Sequence, residues 1–380
     1  MSAVRVKFGE VVSNLNETVR QGEEHSLTRV VGLEHIEPQD PDLRRWDELS
    51  DLPDGTSFSR VFRQGQVLFG KRRAYQRKVA VAPFDGICSS DILVFAPANK
   101  KLHPDFLLFI VQSEGFFSHA LQTSSGSLSP RTRWQDLATY EFELPSIEEQ
   151  QRIVELLSGV DAHAEALRNQ LHVAKETRKA VLHHLLNARG DDWTETTLGN
   201  VAEINSETAK NWGADEIVTY IDLSSVTFDS GVGVELFKGR FKDAPGRARR
   251  IVRTGDILVS TVRPYLRGFA VVPSRLDGAL ASTGFAVLRA KQGASISGFI
   301  WALIGMEEFV SHLMELATGS NYPAVRPSDV ASTKLLLPPV KEQQRIVDEI
   351  SKVDAVIQET TSALAATRQL RSALLNKEIS

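Results

Sequence analysis

The 380-residue chain has a single cysteine, Cys88, which excludes an internal disulfide framework and any zinc site built on several thiolates. A small buried hydrophobe is the expected role of that thiol. Long apolar runs are missing as well. No window approaches 18 consecutive apolar residues, so no membrane span is expected, and the opening MSAVRVKFGE lacks the basic-then-apolar order of a secretory leader. The expected location is the cytoplasm. Charge excess is also small: 44 Lys and Arg against 48 Asp and Glu leave a net charge of -4, which argues against a chain coated in positive charge but leaves room for local patches.

Catalytic signatures are absent too. No lysine has Asp or Glu two residues before it, which removes the Asp/Glu-x-Lys element of many metal-dependent nucleases. The Asn/Asp-Pro-Pro-aromatic element of amino-methyltransferases is missing, as is His-Glu-x-x-His, and the adjacent His183-His184 read as surface helix. Gly65 to Lys71 fits Gly-x4-Gly-Lys, but Arg72 stands where a phosphate loop needs Ser or Thr, and its middle, Val67-Leu68-Phe69, reads as a buried strand. No catalytic, metal or cofactor-binding residue is expected in this chain.

What is present is a duplication. Leu144-Pro145, then Glu149-Gln150-Gln151-Arg152-Ile153-Val154, returns as Leu337-Pro338, then Glu342-Gln343-Gln344-Arg345-Ile346-Val347, an offset of 193 (342 minus 149). Ser118-His119, Gly126, Pro130, Arg133 and Asp136 recur at the same offset as Ser311-His312, Gly319, Pro323, Arg326 and Asp329. Further upstream the offset is 190: Gly65, Arg73, Tyr75, Arg77 and Pro83 match Gly255, Arg263, Tyr265, Arg267 and Pro273. A three-residue insertion in a surface loop accounts for the change.

Each copy has two textures. Residues 1–143 and 191–336 mix β-branched and aromatic runs with turn residues and read as strands, with one helix expected in each, over 105–121 and 297–317. Residues 144–190 and 337–380 instead carry apolar residues at alternating steps of four and three. The first seam includes Ile153, Leu157, Val160, Leu167, Leu171 and Val181, with Arg178 its one polar member; the second includes Ile346, Ile350, Val353, Ile357, Leu364 and Leu374. A helix of about 40 residues spans about 60 Å. The expected fold is therefore α+β: two domains separated by two long helices that pack as an antiparallel coiled coil, a pseudo-twofold tandem repeat.

Positive charge concentrates at equivalent places in the two copies. Between Asp54 and Asp85 there are seven basic residues and no acidic one, among them Lys71, Arg72, Arg73, Arg77 and Lys78. From Lys238 to Arg267 nine basic residues, including Arg247, Arg249, Arg250 and Arg263, face two acidic ones. Two such patches in a chain of net negative charge imply two polyanion sites. The Arg-x-Tyr-x-Arg core, with Tyr75 and Tyr265 at its centre, joins phosphate neutralisers to an aromatic, and arginine can also read guanine bidentately. Two loops add hydroxyls, an amide and cations suited to phosphate and base-edge contacts: Ser125, Ser127, Arg131 and Arg133 in the first copy, Ser320, Asn321, Tyr322 and Arg326 in the second.

These residues resemble the DNA-specificity subunits of type I restriction-modification systems. The resemblance runs over essentially the whole chain. It rests on Leu-Pro-x-x-x-Glu-Gln-Gln-Arg-Ile-Val opening each long helix, on Gly32-Leu33-Glu34-His35-Ile36, on residues 255–267, and on Ser282-Thr283-Gly284-Phe285. The chain departs from the pattern at Arg73-Ala74-Tyr75, where Arg-Pro-Tyr would stand, and at Ile221-Asp222-Leu223, where Gly-Leu-Glu-His would stand. The resemblance implies two target-recognition domains reading the parts of a split, asymmetric double-stranded DNA sequence, with the helices as a ruler. It also implies two modification subunits carrying adenine N6-methylation, and restriction subunits for ATP-dependent cleavage, so that S-adenosylmethionine, ATP and magnesium belong to the partners. A specificity subunit of a methylating but non-cleaving complex and a coiled-coil scaffold are the alternatives. A self-contained nuclease is a third reading, with little in the residues to favour it.

Overall fold

A computed structural model describes residues 3–19, 26–52, 58–188, 190–210 and 212–379. The chain divides into two compact units, Met1–Asn169 with Thr361–Ser380, and Gln170–Thr360. Among the described residues, no helix is long and apolar enough to cross a membrane.

The first unit holds two four-stranded sheets. One runs Val12–Leu15, Ile92–Pro97, Val67–Gly70, Val79–Val81, all antiparallel. The other runs Asp47–Glu48, Arg29–Val31, Gly86–Ser89, Phe58–Phe62, with Arg29–Val31 and Gly86–Ser89 parallel. The second unit repeats this order strand for strand: Ala202–Ile204, Phe285–Ala290, Ile257–Ser260, Phe269–Val271, and Phe237–Arg240, Ile217–Ile221, Leu280–Ser282, Ala248–Ile251. A bulge recurs at the same place, between Phe58 and Arg60 and between Ala248 and Arg250. Val67–Gly70 is buried throughout, as its apolar middle requires, and Cys88 is buried in the adjoining core.

The helix expected over 105–121 is two helices, Phe106–Gln112 and Glu114–Gln122. Ser113 adopts an extended backbone and its hydroxyl accepts from the Phe116 amide at 3.2 Å, so a capping serine inside an apolar run stops one helix and starts the next. The second unit breaks at the equivalent place, Ser297–Ile304 and Glu307–Leu316, with Met306 extended.

The long helices are Ile147–Asn187 and Val340–Glu378. They run antiparallel in each unit. In the first, Ala164 and Leu167 pack on Leu364, and Arg371 pairs with Asp161. In the second, Leu182 and Leu185 cluster with Ile346 and Ile350, and Arg178 pairs with Asp354 at 2.5 Å. The polar seam position is thus an ion pair made twice. Ile153 and Leu157 are fully covered; Val160, Leu171, Val353 and Ile357 are half-buried. Towards each helix's far end the seam slips by one: Leu182 and Leu375 are buried where Val181 and Leu374 are half-exposed, the drift of a 3.6-residue turn against a 3.5-residue repeat.

The repeated Glu-Gln-Gln-Arg motif has a physical reading. Its first glutamine is wholly buried in both copies. Gln150 donates to the carbonyls of Pro145 and Lys101, both at 2.9 Å, and accepts from the His103 amide at 2.8 Å. Gln343 repeats this with Pro338, Ala294 and the Ile296 amide. One side chain so satisfies three backbone groups and fixes the start of each long helix to the sheet domain beside it.

Candidate nucleic-acid interface

After the buried strand Val67–Gly70 the chain makes one 3-10 turn, Ala74–Gln76, flanked by Arg73 at φ 54° and Arg77 at φ 51°. After Ile257–Ser260 it makes the same turn, Pro264–Leu266, between Arg263 at φ 49° and Arg267 at φ 50°. A β-carbon in this left-handed region costs on the order of 1–2 kcal/mol, and glycine or asparagine is its usual occupant. Arginine at all four positions points to a use for the side chain.

The serine- and proline-bearing loops come up against these turns. The Arg73 amide donates to Pro130 O at 2.7 Å, and the Thr132 amide to Lys71 O at 3.0 Å; the Arg263 amide donates to Pro323 O at 2.7 Å, and the Val325 amide to Thr261 O at 2.9 Å. Two motifs far apart in sequence form one surface, once in each unit. Tyr75, Tyr265 and Tyr322 are 55%, 48% and 68% exposed there, unusual for aromatics. Ser125, Ser127, Ser320 and Asn321 are exposed beside them. Arg263 lies 4.2 Å over the Tyr322 ring and donates to Asn321 O at 3.2 Å, which pre-orients its guanidinium.

The remaining basic residues fall into two groups. Some are committed within the protein. Arg77 is held by both carboxylate oxygens of Glu114, whose hydrogen bonds raise the guanidinium pKa, and it lies 5.1 Å over Phe117. Arg267 reaches Glu307 at 2.9 Å and Gly305 O at 2.8 Å. These two clamp the turn to the helix behind it. Lys78 donates to Leu33 O at 2.6 Å, tying the turn to the Gly-Leu-Glu-His segment. Arg133 pairs with Asp136 at 2.9 Å. Arg131 and Arg72 share Asp91 at 2.9 and 3.5 Å; burial pushes that carboxyl up, but the Arg131 hydrogen bond and the neighbouring cations outweigh it and hold it below its ordinary value.

In others the guanidinium has no carboxylate partner among the described residues: Arg73, Arg263, Arg326, whose backbone amide donates to Asp329 at 2.7 Å, Arg247, Arg249 and Arg250. Arg247, Arg249 and Arg250 belong to the other sheet, on or beside Ala248–Ile251; Arg249 donates to Gly246 O at 3.0 Å, and burial pushes the Arg250 pKa down. Burial also lowers the Lys71 pKa, with Arg60 adding repulsion. Arg60, the 190-offset mate of Arg250 and one of the seven basic residues of the first patch, was not singled out as a contact residue; it is half-buried, with one terminal nitrogen lacking a partner among the described residues. Glu114 and Glu307, which the 193 offset pairs, were not singled out either.

The departure at Ile221-Asp222-Leu223 keeps its turn. In the first unit the Gly32 amide donates to His35 Nδ1 at 2.9 Å; in the second, Asp222 Oδ1 accepts from the Ser224 amide at 2.9 Å and caps the same 3-10 turn. No group of His, Cys, Asp or Glu among the described residues could hold a metal ion.

Each unit thus joins a mixed-sheet domain to two antiparallel segments of the long helices and carries a basic-aromatic surface. The chain belongs to the type I restriction modification DNA specificity domain family, whose model matches residues 51–174 and 190–366. It is 27% identical over 185 residues to the type I restriction enzyme HindI specificity subunit of Haemophilus influenzae, covering 48% of this chain and 40% of that one. It is 32% identical over 124 residues to the EcoDI specificity subunit of Escherichia coli, covering 32% and 27%. The matched part therefore spans less than half the length of either relative. A putative type I specificity subunit of Methanocaldococcus jannaschii is 20% identical over 92% of this chain and 85% of its own. Two solved structures share the fold. A chain from a study of type I restriction-modification complex assembly has a TM-score of 0.55 at 20% identity, covering 99% of this chain and 97% of its own; the S subunit from M. genitalium has a TM-score of 0.56 at 13%, covering 99% and 96%.

Proposed function

We propose that this chain is the sequence-reading subunit of a type I restriction-modification complex, with residues 1–143 and 191–336 each reading one half of a bipartite, asymmetric double-stranded DNA target. The helices at 144–190 and 337–380 serve as the spacer that sets the gap, and their outer faces receive two modification subunits, with restriction subunits added in a cleaving complex. The partners supply adenine N6-methylation with S-adenosylmethionine, and cleavage with ATP and magnesium; this chain directs both without performing either, in the cytoplasm.

The observation that carries this reading is the pair of equivalent turns, each presenting a left-handed arginine (Arg73, Arg263) and an exposed tyrosine beside a hydroxyl-rich loop. A cation neutralises phosphate, and loop amides and hydroxyls reach base edges, so one surface supplies both affinity and specificity. Arg73, Tyr75, Ser125 and Ser127 are the direct contacts in the first unit, and Arg263, Tyr265, Asn321, Tyr322 and Arg326 in the second. Arg77 and Arg267 position the turns. Arg247, Arg249 and Arg250 extend the positive field of the second surface.

Methylome sequencing of a host expressing the chain with its modification subunit tests the proposal. The expected result is a new two-part adenine-methylated motif with a fixed gap. A stable complex that leaves no new motif would move the reading to a scaffold.

A further inference from the structure

Lys71, Arg72 and Arg131 gather around one carboxylate in the first unit. Asp91, its side chain 18% exposed, accepts from Arg131 Nε at 2.9 Å and lies 3.5 Å from Arg72 Nη1, while Arg72 Nη2 donates to Ser129 Oγ at 3.2 Å. Lys71 is near enough to feel both Asp91 and Arg131, and Arg60 adds repulsion from the strand beside it. One anion therefore faces several cations, and the site is left positive.

The second unit repeats the backbone here and none of these charges around Asp91. The Lys71 amide donates to Asp91 O at 3.0 Å, and the Thr261 amide to Gly284 O at 2.8 Å; Arg72 forms a backbone bridge with Arg131, and Val262 with Ala324. That register puts Thr261, Val262, Ala324 and Gly284 in the places of Lys71, Arg72, Arg131 and Asp91. The loop keeps its fold without the ion cluster, so the cluster serves something other than holding the loop.

Arg131 is held in a way that leaves part of it free. Asp91 takes the edge made by Nε and Nη2, at 2.9 and 3.5 Å, and the side chain is 49% exposed. A guanidinium has five N–H donors in a fixed fork, so the edge made by its two terminal nitrogens still carries a parallel pair. Attraction to phosphate depends on charge, which a paired carboxylate reduces; reading a base depends on angle, which the same carboxylate fixes. Arg73, without a carboxylate partner among the described residues, suits the first task and Arg131 the second. The acceptor pair that matches the free edge is O6 and N7 of guanine in the major groove.

We infer that Arg131 reads a guanine in the half-site of the first unit, with Asp91 as its positioning residue and with Lys71 and Arg72 offsetting the charge of that carboxylate. The second unit, with Ala324 in the matching place, makes no such demand. This rests on the proposed DNA-reading role and adds to it the identity of one base.

Selection by the assembled complex, chain and modification subunits together, from duplexes randomised in both halves tests the inference. Wild type should select two half-sites, and Arg131→Ala, a side chain the second unit already carries there, should release one G·C position. Discrimination at that base should fall about 10- to 100-fold while every other position stays fixed. Arg131→Lys should keep the salt dependence of binding and recover the discrimination only in part, because an ammonium lacks the fork. Asp91→Ala should relax the same base less than Arg131→Ala does, with affinity for random duplex unchanged or raised, since a negative charge is lost. Weakening that is uniform across sequences and fully restored by lysine would make Arg131 a phosphate contact and overturn the inference. So would an unchanged motif in Arg131→Ala, or release of an A·T position. A wild-type complex that selects no half-site would overturn the reading role itself, and this inference with it.

Discussion

The two units share a topology and differ in what fills it. The first is packed with rings and pinned by charge: Arg44 and Arg168 bridge Asp40, Asp42 and Glu165, tying the loop after the Gly-Leu-Glu-His segment to the long helix. The second has fewer ring contacts, an open cleft of about 510 Å³ lined by Leu198, Phe309, His312, Thr333 and Leu335, and a single exposed Lys175–Asp229 bridge, at 3.3 Å, in the comparable role among the described residues. What both retain is the backbone hydrogen-bonding: strand order, the bulge, the left-handed arginines and the glutamine lock. A backbone group without a partner is costly wherever it is buried, whereas an apolar volume can be filled many ways. Duplicated domains therefore diverge in their filling before they diverge in their framework.

The largest test of that contrast is in the cores. Phe116→Ala should destabilise the first unit by about 3–5 kcal/mol, because a closed ring cluster leaves a cavity behind; Phe309→Ala should cost roughly half as much, since one side already faces the cleft. Hydrogen exchange of amides in Val67–Gly70 and Ile257–Ser260 reads the two units separately. Equal losses would mean that the cleft is closed in solution.

A smaller effect separates reading from folding. Arg73→Gly and Arg263→Gly should leave thermal stability unchanged or raised, since glycine adopts positive φ without penalty. DNA affinity should fall by about 1–2 kcal/mol and the salt slope by about one phosphate contact. The Arg263 change should be the larger, because Tyr322 and Asn321 hold that guanidinium in place. Loss of stability with affinity intact would reassign both arginines to packing.

The smallest is acid sensitivity. Hydrogen bonds from Arg253 and then Arg289 hold the Glu207 carboxyl down to about 2. A lowered folded-state pKa stabilises above the ordinary carboxylate value of 4.5 and is lost as pH falls from there towards 2. Solvent screening leaves on the order of 1 kcal/mol. The matching Glu17 has one such partner, Arg63, so Glu207→Gln should flatten the acid limb of the second unit more than Glu17→Gln flattens that of the first. Identical acid limbs would refute the asymmetry.

The framework was legible in the sequence because it is periodic or repeated: the helices from their seam, the strands from β-branched runs, the two matching basic turns from the offsets. What escaped is what depends on partners distant in sequence. Nothing local to Arg77 or Arg267 announces that Glu114 and Glu307 will take up their charge, although the arginines repeat at an offset of 190 and the glutamates at 193. The break at Ser113 was hidden because the apolar pattern continues across it. The cleft was hidden because Thr333, just before the strand Lys334–Leu337, and Leu335 within it are ordinary residues until set beside Tyr140 and Phe142.

The units also differ in how they are written along the chain, and this fixes an order of events at the ribosome. The second is one contiguous stretch, while the first needs residues from both sides of it. Leu157 belongs to the same buried cluster as Leu375, and 218 residues separate them (375 minus 157). At about 5–20 residues per second, roughly 10–40 s pass between their synthesis. For that interval the part of the first long helix that Leu375 covers lacks its partner. The length of the second unit, and not any folding barrier of the first, sets how long that exposure lasts.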